Sequence, residues 1–153
     1  WSYLCAHRPA EASKAALRAN RLYKQKSGDP AFSLIVAYIG FKAAGNQAEA
    51  EKILRYAADE LNPVAWPFPI VAYFSGMIDE NELIVEVSTH PQETEARTYI
   101  ALKSLFENNF EAARKHLDWV CEAGHPAVFE HTLAQVLRSD LERDPTTLPL
   151  AGR

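Results

Sequence analysis

Apolar side chains recur at steps of three and four along most of this chain, and the pattern is clearest from Glu95 to Val120. Ala96, Tyr99, Ile100, Leu102, Lys103 and Phe106 trace one side of a first helix. Phe110, Ala113, Leu117 and Val120 trace one side of a second, with Glu111, Arg114, Lys115 and Asp118 opposite. Asn108-Asn109 is the polar break between them, so the stretch reads as a helical hairpin. A hairpin with one apolar stripe per helix cannot cover both stripes itself, and neighbouring helices must do so.

The rest of the chain follows the same rule. Trp1 to Ala6 reads as the last turns of a helix, broken at His7-Arg8-Pro9. Ala10 to Lys26 is an Ala-rich basic helix; Ser27-Gly28-Asp29-Pro30 then combines a glycine stop with an Asp-Pro start. Ala31 to Ala44 is apolar on nearly all sides and is expected to be buried. After Gly45-Asn46, Gln47 to Leu61 returns as an amphipathic helix closed by Asn62-Pro63. A short helix is predicted from Pro69 through Phe74, ended by Gly76, and another from Glu80 to Val87 with Asp79 and Glu82 in capping-box spacing. His90-Pro91 is read as the stop of that helix. Val128 to Leu141 is the last helix, and residues 144–153 form a loose tail. The prediction is therefore all-α, with about eight or nine helices in one domain over 1–143 and no strand.

Composition changes this picture little. A length of 153 residues, 48% hydrophobic and 24% charged, suits one folded domain and excludes global disorder. The net charge of -4 is too mild for a dedicated nucleic-acid binder. Its distribution is uneven: residues 1–28 hold six Lys and Arg against one acid, whereas residues 56–96 hold eight acids and no Lys or Arg. Such polarity can steer a charged partner or favour head-to-tail packing. Cys5 and Cys121 lie within helical apolar patterns and are expected as reduced core residues. No apolar run reaches membrane-spanning length. The chain opens at Trp1, without Met and already inside a helical pattern, so a longer parent chain is expected and the compartment is left open.

Gly45-Asn-Gln-Ala-Glu-Ala50 aligns with Asn108-Asn-Phe-Glu-Ala-Ala113, and His7-Arg-Pro-Ala-Glu-Ala12 is a fainter third copy. Each supplies a turn, an acid, and a small Ala where two helices press close. With Leu34, Phe41, Ala50, Leu54, Ala57 and Pro63 in one unit, and Ala101, Phe110, Ala113, Leu117, Val120 and Pro126 in the other, the chain resembles the tetratricopeptide repeat family. Tyr38 departs from the family's small residue and Ser104 from its aromatic. The second half, from WPFPIVAYFSGMIDENEL onward, also resembles NlpI-type bacterial lipoproteins. The resemblance implies a right-handed solenoid of antiparallel helix pairs and a protein-docking adaptor. In such stacks the first helix of each pair lines a concave wall that takes a peptide or a helix.

On those first helices Lys42, Arg97, Thr98 and Lys103 are polar, and Tyr38, Tyr73 and Tyr99 are amphipathic. These seven are the candidate partner-binding residues, since Tyr and Arg combine contact area with a polar handle. His116, Cys121, His125 and His131 lack the paired spacing of a metal site and read as structural Cys and surface His. No catalytic constellation, phosphate loop or cofactor motif is apparent, which points to a non-enzymatic scaffold with a protein or peptide partner and possible self-association. The alternatives are nucleic-acid or anionic-surface binding through Lys14, Arg18, Arg21, Lys24 and Lys26, for which a solvated outer helix is the favoured reading, and a regulatory arm of a larger enzyme.

Overall fold

The computed structural model describes residues 1–25 and 31–143. The expected Ser27 to Pro30 stop and start, Lys26 and the 144–153 tail lie outside the described residues. Among the described residues the chain is all-α, with no strand. The helices are α1 (Ser2–Cys5), α2 (Pro9–Gln25), α3 (Ala31–Ala43), α4 (Gln47–Glu60), α5 (Phe68–Phe74), α6 (Glu80–Val85), α7 (His90–Phe106), α8 (Phe110–Ala123) and α9 (Phe129–Arg143). They group into two compact units, Ser2–Asp79 in one and Glu80 onward, with Trp1, in the other.

The turns that end four of these helices share one geometry. His7, Gly45, Gly76 and Asn108 have φ between 56° and 74°, and among the described residues no other position has a positive φ. In each turn the next residue's N–H reaches back five positions: Arg8 to Tyr3 O, Asn46 to Phe41 O, Met77 to Ala72 O and Asn109 to Ser104 O, at 2.8–2.9 Å. The left-handed residue itself donates to the carbonyl three positions back, at 3.1 Å in every copy. This pair of bonds is the Schellman closure, which satisfies the last carbonyls of a helix. The four copies follow at intervals of 38, 31 and 32 residues. Sequence alignment finds three of them; Gly76 is the fourth.

Two of the turns also start the next helix alike. Asn46 (φ −91°, ψ 72°) accepts from the Glu49 N–H, and Asn109 (φ −89°, ψ 76°) accepts from the Ala112 N–H. A side-chain acceptor at this position pairs an N–H that has no partner inside the helix. Gly45 and Gly76 have open space where a Cβ would project, so an alanine there meets only the backbone cost of φ > 0. Gly45→Ala and Gly76→Ala are each expected to cost about 1–2 kcal/mol in urea unfolding, whereas Asn108→Gly is neutral or slightly stabilising.

In the Ser2–Asp79 unit, α3 is buried on almost every side, through Leu34, Ile35, Val36, Tyr38 and Ile39. It lies against α2, whose inner face is small and polar: Ala12, Ser13, Ala16 and Asn20. Asn20 donates to Ser33 Oγ at 3.3 Å. In the second unit, Leu83, Ile100, Leu102, Leu117, Leu133 and Leu137 are fully buried between α6, α7, α8 and α9.

Several boundaries differ from the sequence reading. His90-Pro91 starts α7 rather than only stopping α6, which ends at Val85. Thr89 caps α7 by accepting from the Gln92 N–H, and Gln92 accepts in turn from the Ser88 N–H. Proline fits that first turn, where its missing N–H costs nothing. Cys5 and Cys121 are free thiols but half-buried, not core. His116 is buried rather than on the surface, because the α8 side that carries Leu117 and Val120 extends to it.

Candidate functional site

The seven candidate residues divide between the units, with Tyr38, Lys42 and Tyr73 in Ser2–Asp79 and Arg97, Thr98, Tyr99 and Lys103 on α7. Four of the seven are buried. Tyr38 and Tyr73 pack on Phe74, with ring centroids 4.8 and 6.0 Å away. Thr98 donates its hydroxyl to Thr94 O at 2.8 Å, the back-bonding that lets a helical threonine be buried without an unmet polar group. Tyr99 is fully buried and donates to Glu130 Oε1 at 2.6 Å. These four hold the core and do not form a contact surface. The physical reason is that neighbouring helices cover α3 and α7 on more sides than one stripe.

Lys42, Arg97 and Lys103 remain half-exposed. Lys42 donates to Gln47 Oε1 at 2.6 Å, and Gln47 donates to Glu51 at 2.7 Å, a polar chain from α3 to α4. Arg97 is the best-organised of the three. Its Nε and Nη2 both reach Glu93 Oε1, at 2.9 and 2.8 Å, and its guanidinium lies over the Trp119 ring, 4.3 Å from the centroid.

Around this stack the start of α7 meets the end of α8. His90 Nε2 donates to Ala123 O at 2.6 Å, pairing one of the carbonyls left open at the α8 C-terminus. The His90 ring stands edge-on to Trp119, at 6.2 Å, and to His125, at 5.6 Å. Buried Thr94 fastens the same corner: its Oγ1 donates to His90 O at 3.1 Å and accepts from the His125 N–H at 2.8 Å. Arg97, Trp119, His90 and His125 thus form a stacked platform in which His90 is exposed and the other three are half-buried. Stacking, cation–π contact and hydrogen bonding are the chemistry it offers.

Three buried ionisable groups, Glu130, Tyr99 and His116, lie inside the same unit. Burial raises the Glu130 carboxyl above its ordinary range, with the Tyr99 hydroxyl pulling the other way. Burial and the Glu130 charge push the Tyr99 phenol well up. His116 Nε2 is 3.1 Å from Glu80 Oε1, but neither imidazole nitrogen makes an aligned hydrogen bond among the described residues. The contact is therefore electrostatic. Burial lowers the His116 pKa, Glu80 opposes this, and Arg97 and Lys115 add to it. Among the described residues no group of three or more His, Cys, Asp and Glu is placed to hold a metal ion, and no helix is long and apolar enough to cross a membrane.

Sequence reading singles out Arg97 and Tyr99 but not Trp119, His90, Thr94 or Glu130, which complete their surroundings. Their partners lie far along the chain, 22 residues for Trp119 with Arg97 and 31–33 for the others, beyond any helical period. The one local signal was Thr89-His-Pro-Gln92, a capping signature that places His90 at a helix start. Comparison with known proteins finds no matching family model, no matching curated protein and no matching solved structure.

Proposed function

We propose that this chain is a non-enzymatic protein–protein interaction scaffold of tetratricopeptide-like helix pairs that binds a partner peptide or helix. The observation that carries the reading is the fourfold recurrence of one helix-ending turn at intervals near 34 residues, the length of a helix-pair repeat. Repeated pairs present successive helix faces to solvent, and such faces suit extended or helical ligands. The Arg97–Trp119–His90 platform is the docking point this reading favours, because Arg and Trp dominate binding energy at interfaces. Lys42 and Lys103 are peripheral charges on the same class of helix and tune association rather than anchor it.

Selection of peptide ligands from a random display library against the intact chain tests this directly. Trp119→Ala and Arg97→Ala are expected to weaken the selected ligands by roughly tenfold or more each, the size of a hot-spot truncation. Charge reversal at Lys42 or Lys103 should weaken them less and leave the melting temperature unchanged. Ligands that bind every variant equally would remove the platform from the binding surface; failure to select any ligand would count against the scaffold reading itself.

A further inference from the structure

Two exposed helix faces of this chain are complementary in charge and in apolar content. On α2, Lys14, Arg18, Arg21 and Leu22 fall at i, i+4, i+7 and i+8, and all four are exposed, Leu22 to 49%. Ala12, Ser13, Ala16 and Asn20 take the opposite, buried face, so the cations and Leu22 share the solvent side. Arg8 is held by Glu11 at 3.1 Å, whereas Arg18 and Arg21 form no ion pair among the described residues. On α6, Leu83 is fully buried and Glu80 turns towards His116, while Glu82 and Val85, with Glu86 in the turn that follows, are exposed. Val85, which immediately precedes Glu86, is 81% exposed.

We propose that the basic face of α2 docks onto the acidic face formed by α6 and Glu86 of a second copy of this chain. Arg18 and Arg21 meet Glu82 and Glu86 across the contact, and Leu22 covers Val85. A phosphate-bearing surface would use the cations alone and leave Leu22 in water, whereas the α6 face offers the opposite charge together with an apolar side chain to cover Leu22. The two faces differ, so the contact either closes reciprocally in a pair or repeats into chains or rings. Two short helix faces bury less area than a standard stable interface. Association is therefore weak, with attraction between exposed charges that salt screens.

Sedimentation velocity on the whole chain, from low micromolar to submillimolar concentration, reads this out. The average mass should rise with concentration at low salt and fall back to monomer at high salt. Arg18→Glu with Arg21→Glu should be monomeric throughout, and so should Glu82→Lys with Glu86→Lys. Mixed in equal amounts, these two variants should associate again, because each then offers the charge the other lacks. The neutral pair Glu82→Gln with Glu86→Gln should weaken association without reversing it, and circular dichroism melting should place every variant at the wild-type midpoint. A wild-type chain that stays monomeric, a reversal that leaves association intact, or a mixture that remains monomeric would each overturn the proposal. So would a monomeric wild type that instead binds anionic vesicles or duplex DNA through Arg18 and Arg21.

Discussion

Gly40→Leu is expected to abolish folding of the Ser2–Asp79 unit, and Gly40→Ala to destabilise it despite alanine's better helix propensity. A Cβ on Gly40 would lie 2.7 Å from Pro9 O, 2.8 Å from Ser13 N and 3.0 Å from Ser13 Cβ. Two of those atoms are backbone, so no side-chain rotation relieves the clash, and α2 would have to move away from α3. Ala over Gly inside a helix is worth about 1 kcal/mol in favour. Overpacking a tight contact costs about 1–3 kcal/mol, more when the obstacle is backbone. The balance for alanine is a net loss of up to about 2 kcal/mol, and for leucine a loss comparable with the whole stability of a small domain. Urea unfolding measures the first. Native-state hydrogen exchange measures the second, as loss of protection in α2 and α3. A Gly40→Ala chain that melts higher than wild type would contradict the close approach of these two helices.

That approach explains why α2 carries so little apolar bulk. Ala12, Ser13 and Ala16 face α3, and Asn20 reaches Ser33, so the contact is made by backbone proximity more than by large side chains. Small residues on both helices let the axes come near, and close dispersion contacts replace long side chains.

The helices were legible because a 3.6-residue period is written locally, and both Gly45-Asn46 and Asn108-Asn109 carry turn chemistry that needs no tertiary context. The all-round apolar character of Ala31 to Ala44 likewise announces burial, and the structure buries it. What failed was the assignment of sides. Tyr38, Tyr73, Tyr99 and Thr98 carry polar atoms and read as plausible contact residues, yet each is covered. A tyrosine buried to its hydroxyl needs one partner, and that of Tyr99 is on α9, 31 residues away. A threonine needs only the carbonyl four residues back, which every helix provides. His90-Pro91 misled for a different reason: a proline that ends one helix is also suited to the first turn of the next, and only Thr89 and Gln92 disclose which role it plays.

Tyr99→Phe is expected to destabilise the chain by about 1–3 kcal/mol near neutral pH, because it leaves the Glu130 carboxyl buried without its hydroxyl donor. The loss should also depend on pH. Glu130 has a folded pKa raised above its ordinary 4.5, so it favours the folded state fully below that value and progressively less as pH rises through the folded one. The Tyr99 hydroxyl opposes this rise by donating to the charged carboxylate. Without it the folded pKa climbs further, and the destabilisation of Tyr99→Phe should be larger at neutral pH than near pH 5. His116 contributes with the opposite sign: its folded pKa lies below the ordinary 6.5, so its contribution is lost as pH falls from there. Taking the difference between variant and wild type at each pH removes this shared term. Tyr99→Phe combined with Glu130→Leu should recover most of the loss, since replacing both partners leaves no buried polar group without a mate. Urea midpoints at both pH values decide the matter. A loss that is the same at both, or a double variant no better than Tyr99→Phe alone, would mean that the pair does not act as one unit inside the packing of α7 and α9.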